Sequence, residues 1–267
     1  MLPEIDLLGL SLKTFGLLFG LAFVASGAVV ARRLKELGKP VDWAYEMVFA
    51  ALVGGLVGAR LYWVLGNLDE VGDDFVGSVF GGSGLVWFGG ALGGAAGVLL
   101  WAYRKGMLNL PLLDICSPAL ALGYAVGRVG CQVSGDGDYG IPTDLPWGMA
   151  YPDGVVPTTD VVHPTPIYET LSMALVAWWL WSMRDTFRPG VLFGFYLVLA
   201  GAERLLVEFV RRNEPVLAGL TEAQLLSIVM MLAGLAWLWV CARSGGLRRE
   251  DGAGGAEGAG VASPSAA

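Results

Sequence analysis

Apolar runs of about membrane length alternate with short polar links along this chain. A spanning helix needs about 20 mostly apolar residues. Seven segments meet that length roughly: Leu12–Ala31, Trp43–Leu65, Leu85–Tyr103, Leu110–Val129, Ile167–Met183, Val191–Val210 and Ala223–Ala242. They predict an all-α fold, a polytopic membrane protein with seven transmembrane helices. The fourth segment is the weakest, because Pro111, Asp114 and Pro118 interrupt it. Membrane helices tolerate proline where neighbouring groups satisfy the freed backbone. Small residues recur at spacings of three and four in Gly54, Gly55, Gly58 and Ala59, and again in Gly89, Gly90, Gly93, Gly94 and Gly97. That pattern predicts close helix-to-helix packing.

The placement of Lys and Arg orients the spans. Arg32, Arg33, Lys35 and Lys39 follow the first, Arg104 and Lys105 the third, Arg184 and Arg188 the fifth, and Arg243, Arg248 and Arg249 the seventh. The link after the second, 67–78, has no basic residue and carries Asp69, Glu70, Asp73 and Asp74. Basic loops stay cytoplasmic, so odd-numbered helices end inside and the topology is N-out/C-in. The first span lacks a basic leader and is followed by basic residues, as a retained anchor is. Residues 1–249 therefore form one transmembrane domain with an outside loop at about 130–165. Residues 250–267, rich in Gly, Ala and Ser, read as a disordered cytoplasmic tail. Arg128 and the group Arg204, Arg211 and Arg212 break the charge rule, since they fall on the outer side. An anionic substrate gives them a reason to be there.

Composition agrees with a membrane protein. The chain is 55% hydrophobic and only 15% charged, with mean hydropathy +0.61, against about 25% charged in soluble domains. The net charge of −7 opposes a nucleic-acid partner, which requires a basic surface. Three widely spaced cysteines and one histidine suggest neither a disulfide framework nor a metal site.

Three stretches carry candidate chemistry. In Gly127–Gly140 an apolar helix meets a glycine-rich loop containing Arg128, Gly130, Cys131, Asp136, Asp138 and Gly140. Glycines let backbone N–H groups approach an anion, and Arg128 offers a fork suited to phosphate. The alternative is a tight turn with an interfacial arginine. Asp136 and Asp138 fall short of a calcium ligand set. In the sixth span Arg204 and Glu208 are four apart and share a face, with Ala200 below and Arg211 above. Buried charges in a membrane are costly and mark polar interiors, although an internal ion pair that only fixes packing is the competing reading. His163–Glu169 opens the fifth span: Pro166 suits a first turn, Thr165 can cap it, and Glu169 is favoured by the helix dipole. Arg60, His163, Tyr168 and Gln224 are further ligand candidates. Arg60 could instead snorkel, and Gln224 could merely cap the seventh helix. Trp178, Trp179, Trp181, Trp237 and Trp239 read as a cytoplasmic interface belt.

Taken together, the motifs resemble the bacterial prolipoprotein diacylglyceryl transferase family. Gly127-Arg128-Val129-Gly130-Cys131 through Gly140 matches its signature. Gly58-Ala59-Arg60-Leu61, Trp87–Gly93, His163–Glu169, Gly201–Phe209 and Gln224–Ser227 occur in family order, so the resemblance spans roughly Phe15 to Val240. It implies seven spans in the bacterial inner membrane and an active site toward the outer side. It implies transfer of the diacylglyceryl group of phosphatidylglycerol to the lipobox cysteine in prolipoprotein signal peptides. Glycerol-1-phosphate is released, with no cofactor and no metal. Arg128 and Arg204 match the arginines tied to headgroup binding and activity, Glu208 the helix-6 glutamate, and Gly140 the final glycine of the signature. Asp136 or Asp138 stands for the signature's acid. Cys131 stands where asparagine is frequent, and Phe15, Phe88 and Ala200 stand at positions polar in relatives.

On that reading Arg128, Arg204, Glu208 and Asp136 are catalytic. Arg128, Arg204, Gly130, Cys131, Gly140, Arg60, His163, Tyr168 and Gln224 contact substrate. The rival expectation is a non-catalytic lipid-binding homologue or a small transporter. The latter would show inverted repeats, which the sequence lacks.

Overall fold

The computed structural model describes residues 1–7, 10–68 and 87–249. The expected disordered tail 250–267 and most of the acidic link 67–78 lie outside the described residues. Among the described residues seven helices form the body: α1 (Thr14–Glu36), α2 (Asp42–Gly66), α3 (Trp87–Lys105), α4 (Leu110–Ser134), α5 (Thr165–Ser182), α6 (Val191–Glu208) and α7 (Glu222–Arg243). Each falls on one of the expected apolar segments. α1, α2, α4 and α7 have the length and apolarity to cross a membrane. α6 is shorter and carries Glu203, Arg204 and Glu208 within its 18 residues.

The fold is not purely helical. An N-terminal hairpin pairs β1 (Glu4–Leu7) with β2 (Leu10–Lys13), and a second hairpin pairs β3 (Met149–Tyr151) with β4 (Thr158–Val162). Leu12 thus belongs to a strand, and α1 begins at Thr14. Glu4-Ile5-Asp6 and Ser11-Leu12-Lys13 alternate polar and apolar, the period of a strand. The second hairpin lies in the stretch expected to form the outside loop. Tyr139, Tyr151 and Val162 are buried together there, with the two tyrosine rings stacked at 4.8 Å.

α4 is the central element, packed on α1, α5 and α6. Its polar interruptions have definite tasks. Asn109 accepts from the Leu112 N–H as N-cap, and Pro111 occupies the first turn, where no N–H is required. Asp114 accepts the backbone N–H groups of Gly190 (2.7 Å) and Phe193 (3.1 Å), so it caps α6 from a neighbouring helix. Ser26 of α1 donates to the Ala119 carbonyl beside Pro118. The segment that looked weakest as a span is therefore the one most tied to its neighbours.

α2 and α3 meet through glycine. A Cβ on Gly58 would stand 2.7 Å from the Gly93 Cα, and one on Gly93 equally close to the Gly58 Cα. The predicted close packing is present. Trp179 and Trp237 differ from the other tryptophans of the expected cytoplasmic interface belt. Trp179 packs on Phe187 and Phe195, and Trp237 Nε1 donates to the Gly190 carbonyl. Helical rotation turns them inward, while Trp178 and Trp239 remain exposed.

Candidate active site

The last turns of α4 and α6, the first turns of α5 and the loops beside them converge on one polar cluster. α4 extends through Gly130 and Cys131 to Ser134, five residues beyond the expected end, so Arg128 and Cys131 stand on a rigid helix. Gly135 ends it in the left-handed conformation (φ 62°), a C-cap suited to glycine.

Three guanidinium groups face three carboxylates. Arg128 pairs with Glu169 and Asp138 and also donates to the Tyr124 hydroxyl at 3.1 Å. Arg204 lies 3.4 Å from Glu169 and 3.0 Å from Glu208. Arg211 reaches Asp138 at 2.5 Å and Glu169 at 3.1 Å, with Glu208 at 3.8 Å. Glu169 is fully buried and touches all three arginines, and the Tyr124 hydroxyl donates to it at 2.6 Å. Glu208 is held from behind by Asn213 (2.6 Å) and Thr221 (2.8 Å). Its second oxygen meets Arg204 as a charge contact without hydrogen-bond alignment.

Exposure separates the arginines. The Arg204 side chain is 24% accessible and Arg128 14%, whereas Arg211 is 8% accessible and sits at the back of the ring. Asp138 lies in the loop after α4. Burial alone would raise its carboxyl, but Arg128 and Arg211 together hold it below the ordinary carboxylate range. Burial likewise opposes the charge on Arg211, while Asp138 and Glu169 raise its affinity for the proton.

The remaining candidates fall around this ring. Cys131 is buried, its Sγ 3.6 Å from Arg128 Nη1. Asp136 accepts the Asp138 N–H at 3.2 Å and so shapes the loop. Cys131, Asp136 and Asp138 lie close enough to share a cation, but Asp138 is committed to two arginines and Arg128 repels positive charge, so the donor set does not suit a metal. Gly130 packs under Phe15 and Leu18 of α1. Gly140 donates to the His163 carbonyl (2.8 Å), and a Cβ there would meet the Val210 carbonyl oxygen, so only glycine fits. His163 Nδ1 is 3.3 Å from the Tyr168 hydroxyl, which accepts from Trp147 Nε1 at 2.8 Å. Gln224 forms a capping box with Thr221, the residue that holds Glu208. Arg60 stands on α2 with its guanidinium 4.6 Å from the Trp63 ring centroid.

The expected helix-start chemistry of α5 is corrected in two respects. Thr165 does not cap the helix; its hydroxyl donates to the Asp138 carbonyl at 2.5 Å. Glu169 lies beyond the first turn, where the dipole fades, and its role is that of the ring's hub. Tyr124 and Arg211 complete the ring and were not among the candidates. Arg211 did carry a signal, as one of the basic residues breaking the charge rule, whereas Tyr124, one helical turn before Arg128, carried none.

This is a helical membrane protein whose one end holds a self-paired ring of arginines and carboxylates. A model of the prolipoprotein diacylglyceryl transferase family matches residues 4–240, and the chain belongs to that family of transferases. It is 32% identical over 251 residues to phosphatidylglycerol–prolipoprotein diacylglyceryl transferase of Chromohalobacter salexigens, covering 88% of this chain and 91% of the relative. It is 29% identical over 233 residues to that of Clostridium tetani (86% and 93%). It is 30% identical over 235 residues to that of Finegoldia magna (86% and 91%).

Proposed function

We propose that this chain transfers the diacylglyceryl group of phosphatidylglycerol to the lipobox cysteine of a secreted prolipoprotein. The ring joining Arg128, Arg204 and Arg211 to Asp138, Glu169 and Glu208 carries the reading. The protein spans the bacterial inner membrane seven times, N-out and C-in, with the ring toward the outer side. The loop charges support that orientation.

Sulfur attacks the glyceryl carbon bearing the phosphate. The S–C bond forms as the C–O bond breaks, and the electron pair leaves on glycerol-1-phosphate. A thiol of pKa about 8.5 is only slightly ionised at neutral pH, so nearby guanidinium groups favour the thiolate. Arg204 and Arg128, the more accessible arginines, grip the phosphate as its charge grows. A guanidinium has five N–H donors, so pairing with carboxylates leaves donors for a phosphate. Fixed donors aimed at developing charge are a large source of rate. Asp136, not claimed by any arginine pair among the described residues, accepts the thiol proton. Arg211 and Glu169 position the other two arginines. Cys131 is not the nucleophile, because the substrate supplies the thiol.

The test combines purified protein, phosphatidylglycerol and a lipobox peptide. Glycerol-1-phosphate and a peptide heavier by one diacylglyceryl group are expected. Absence of both, where an established transferase yields them, would favour a non-catalytic lipid-binding homologue.

A further inference from the structure

A second feature lies at the other end of the bundle. Between α1, α4 and α5 runs a groove of about 480 Å³, floored by Ala25, Ala28, Pro118, Leu122, Ala174 and Ala177. Trp178 and Trp181 flank it, and Arg32 stands at its end. Trp181 is twelve residues beyond Glu169 on α5, about 18 Å at 1.5 Å per residue, so the Arg32 end of the groove is remote from the ring, while Ala174, five residues from Glu169, marks its near end. Pro118 and Trp181 also line a small adjoining recess that carries Arg33, Arg184 and Arg249.

Charge at this end is uneven. Arg33 and Arg184 are occupied by Glu36 and Asp185 at 2.7–3.7 Å. Arg32 is 73% accessible and has only a loose 3.6 Å contact with Glu36. Arg249 has no ion pair within 4 Å among the described residues, although Asp114 shares its recess. The apolar channel thus leads to Arg32, and the recess beside it to Arg249.

We infer that this groove holds an acyl chain of an anionic phospholipid in the leaflet opposite the ring, with the lipid phosphate at Arg32 and Arg249. Small side chains open a gap beside α1 and α4, both apolar enough to cross a membrane. In hydrocarbon such a gap forfeits dispersion contacts unless a chain fills it. Its volume lies in the ~300–1,000 Å³ range of small-molecule pockets. A substrate signal helix does not fit: with side chains it is about 10–12 Å across, and its basic leader would meet Arg32 and Arg249 with like charge.

The test uses the full chain, delipidated in detergent, with phosphatidylserine or phosphatidylcholine of matched acyl chains, read by native mass spectrometry. Phosphatidylserine is anionic and differs from the proposed substrate in its headgroup. One phosphatidylserine per protein is expected to be retained in preference to phosphatidylcholine. Arg32→Gln and Arg249→Gln should each lower that retention about fivefold, the worth of one basic residue at an anionic lipid surface. Ala28→Phe combined with Ala174→Phe should abolish it; both alanines are exposed, and an unchanged unfolding temperature without lipid verifies folding. Arg204→Gln should leave it intact. Equal retention of the two lipids, loss with Arg204→Gln but not with groove filling, or displacement by a signal-peptide helix would each overturn the inference.

Discussion

The seam between α2 and α3 and the junction of α4, α5 and α6 hold helices together in opposite ways. At the seam the contact is backbone against backbone. Gly54, Gly58, Gly89, Gly93 and Gly97 leave no room for a Cβ, and the attraction is dispersion at close range. At the junction the contact is charge against charge, with Glu169 wholly buried among three arginines. Buried ion pairs are poor sources of stability, because desolvation offsets much of the attraction. Glycine for adhesion in one place and six charged groups in another is the contrast expected if, as proposed, the charges are kept for chemistry.

The two regions also differ in how far they could be read beforehand. The seam is a local pattern of small residues on single segments, and the sequence displayed it. The helix positions were legible for the same reason: hydropathy is a property of each segment alone. Arg204 and Glu208 were legible as an i,i+4 pair. Glu169 was not, because a dipole argument within α5 already accounted for it. Only tertiary structure shows that it lies against Arg128, 41 positions earlier, and Arg211, 42 later. That Asp138 and not Asp136 pairs with the arginines was hidden for a similar reason: two acids in one loop are equivalent until the loop's turn is known. Strands β1 and β2 did alternate, but the apolar run beside β2 masked the period.

The sharpest way to break the contrast is to remove the hub. Glu169→Gln leaves Arg128, Arg204 and Arg211 without their shared counter-charge. Removing one partner of a buried pair costs about 3–5 kcal/mol, so a large fall in unfolding temperature and loss of transfer activity are expected together. An unchanged unfolding temperature would mean that water reaches the ring freely.

Arg128→Lys and Arg204→Lys keep charge and alter geometry. Lysine is a point charge without the planar fork, and losing an aimed donor typically costs about 3 kcal/mol, or a hundredfold in turnover. Turnover per folded molecule is the measurement. A purely structural pair predicts instead that Arg204→Gln with Glu208→Gln restores activity, and such rescue would remove Arg204 from the phosphate grip.

Gly93→Leu tests the seam. Its side chain must displace the α2 backbone, and overpacking of this kind costs about 1–3 kcal/mol. Stability should fall while turnover per folded molecule stays near normal. If turnover falls as far as it does for Arg204→Lys, the seam takes part in forming the site and the contrast fails.

The smallest effect is a dependence on pH. Asp138 faces Arg128 from α4 and Arg211 from the segment after α6, with Asp136 and Cys131 alongside. The two arginines hold its carboxyl below the ordinary range in the folded state. A depressed folded pKa means that the folded protein binds the proton less readily than the unfolded chain. Its stabilising contribution is therefore complete above the unfolded value of about 3.9 and is lost as pH falls through the lower folded value. The α2–α3 contact carries its own acid pair, Glu46 with Lys105, but that pair is exposed and exposed pairs contribute little, so acid should loosen the ring first. Hydrogen exchange at the start of α5 should rise below about pH 4 while protection of α2 and α3 persists. Asp138→Asn should show raised exchange at α5 already at neutral pH, with a weaker further response to acid. Acid exposure of α2 and α3 before α5, or an Asp138→Asn protein with the full acid response of the parent, would assign the sensitivity to another carboxylate.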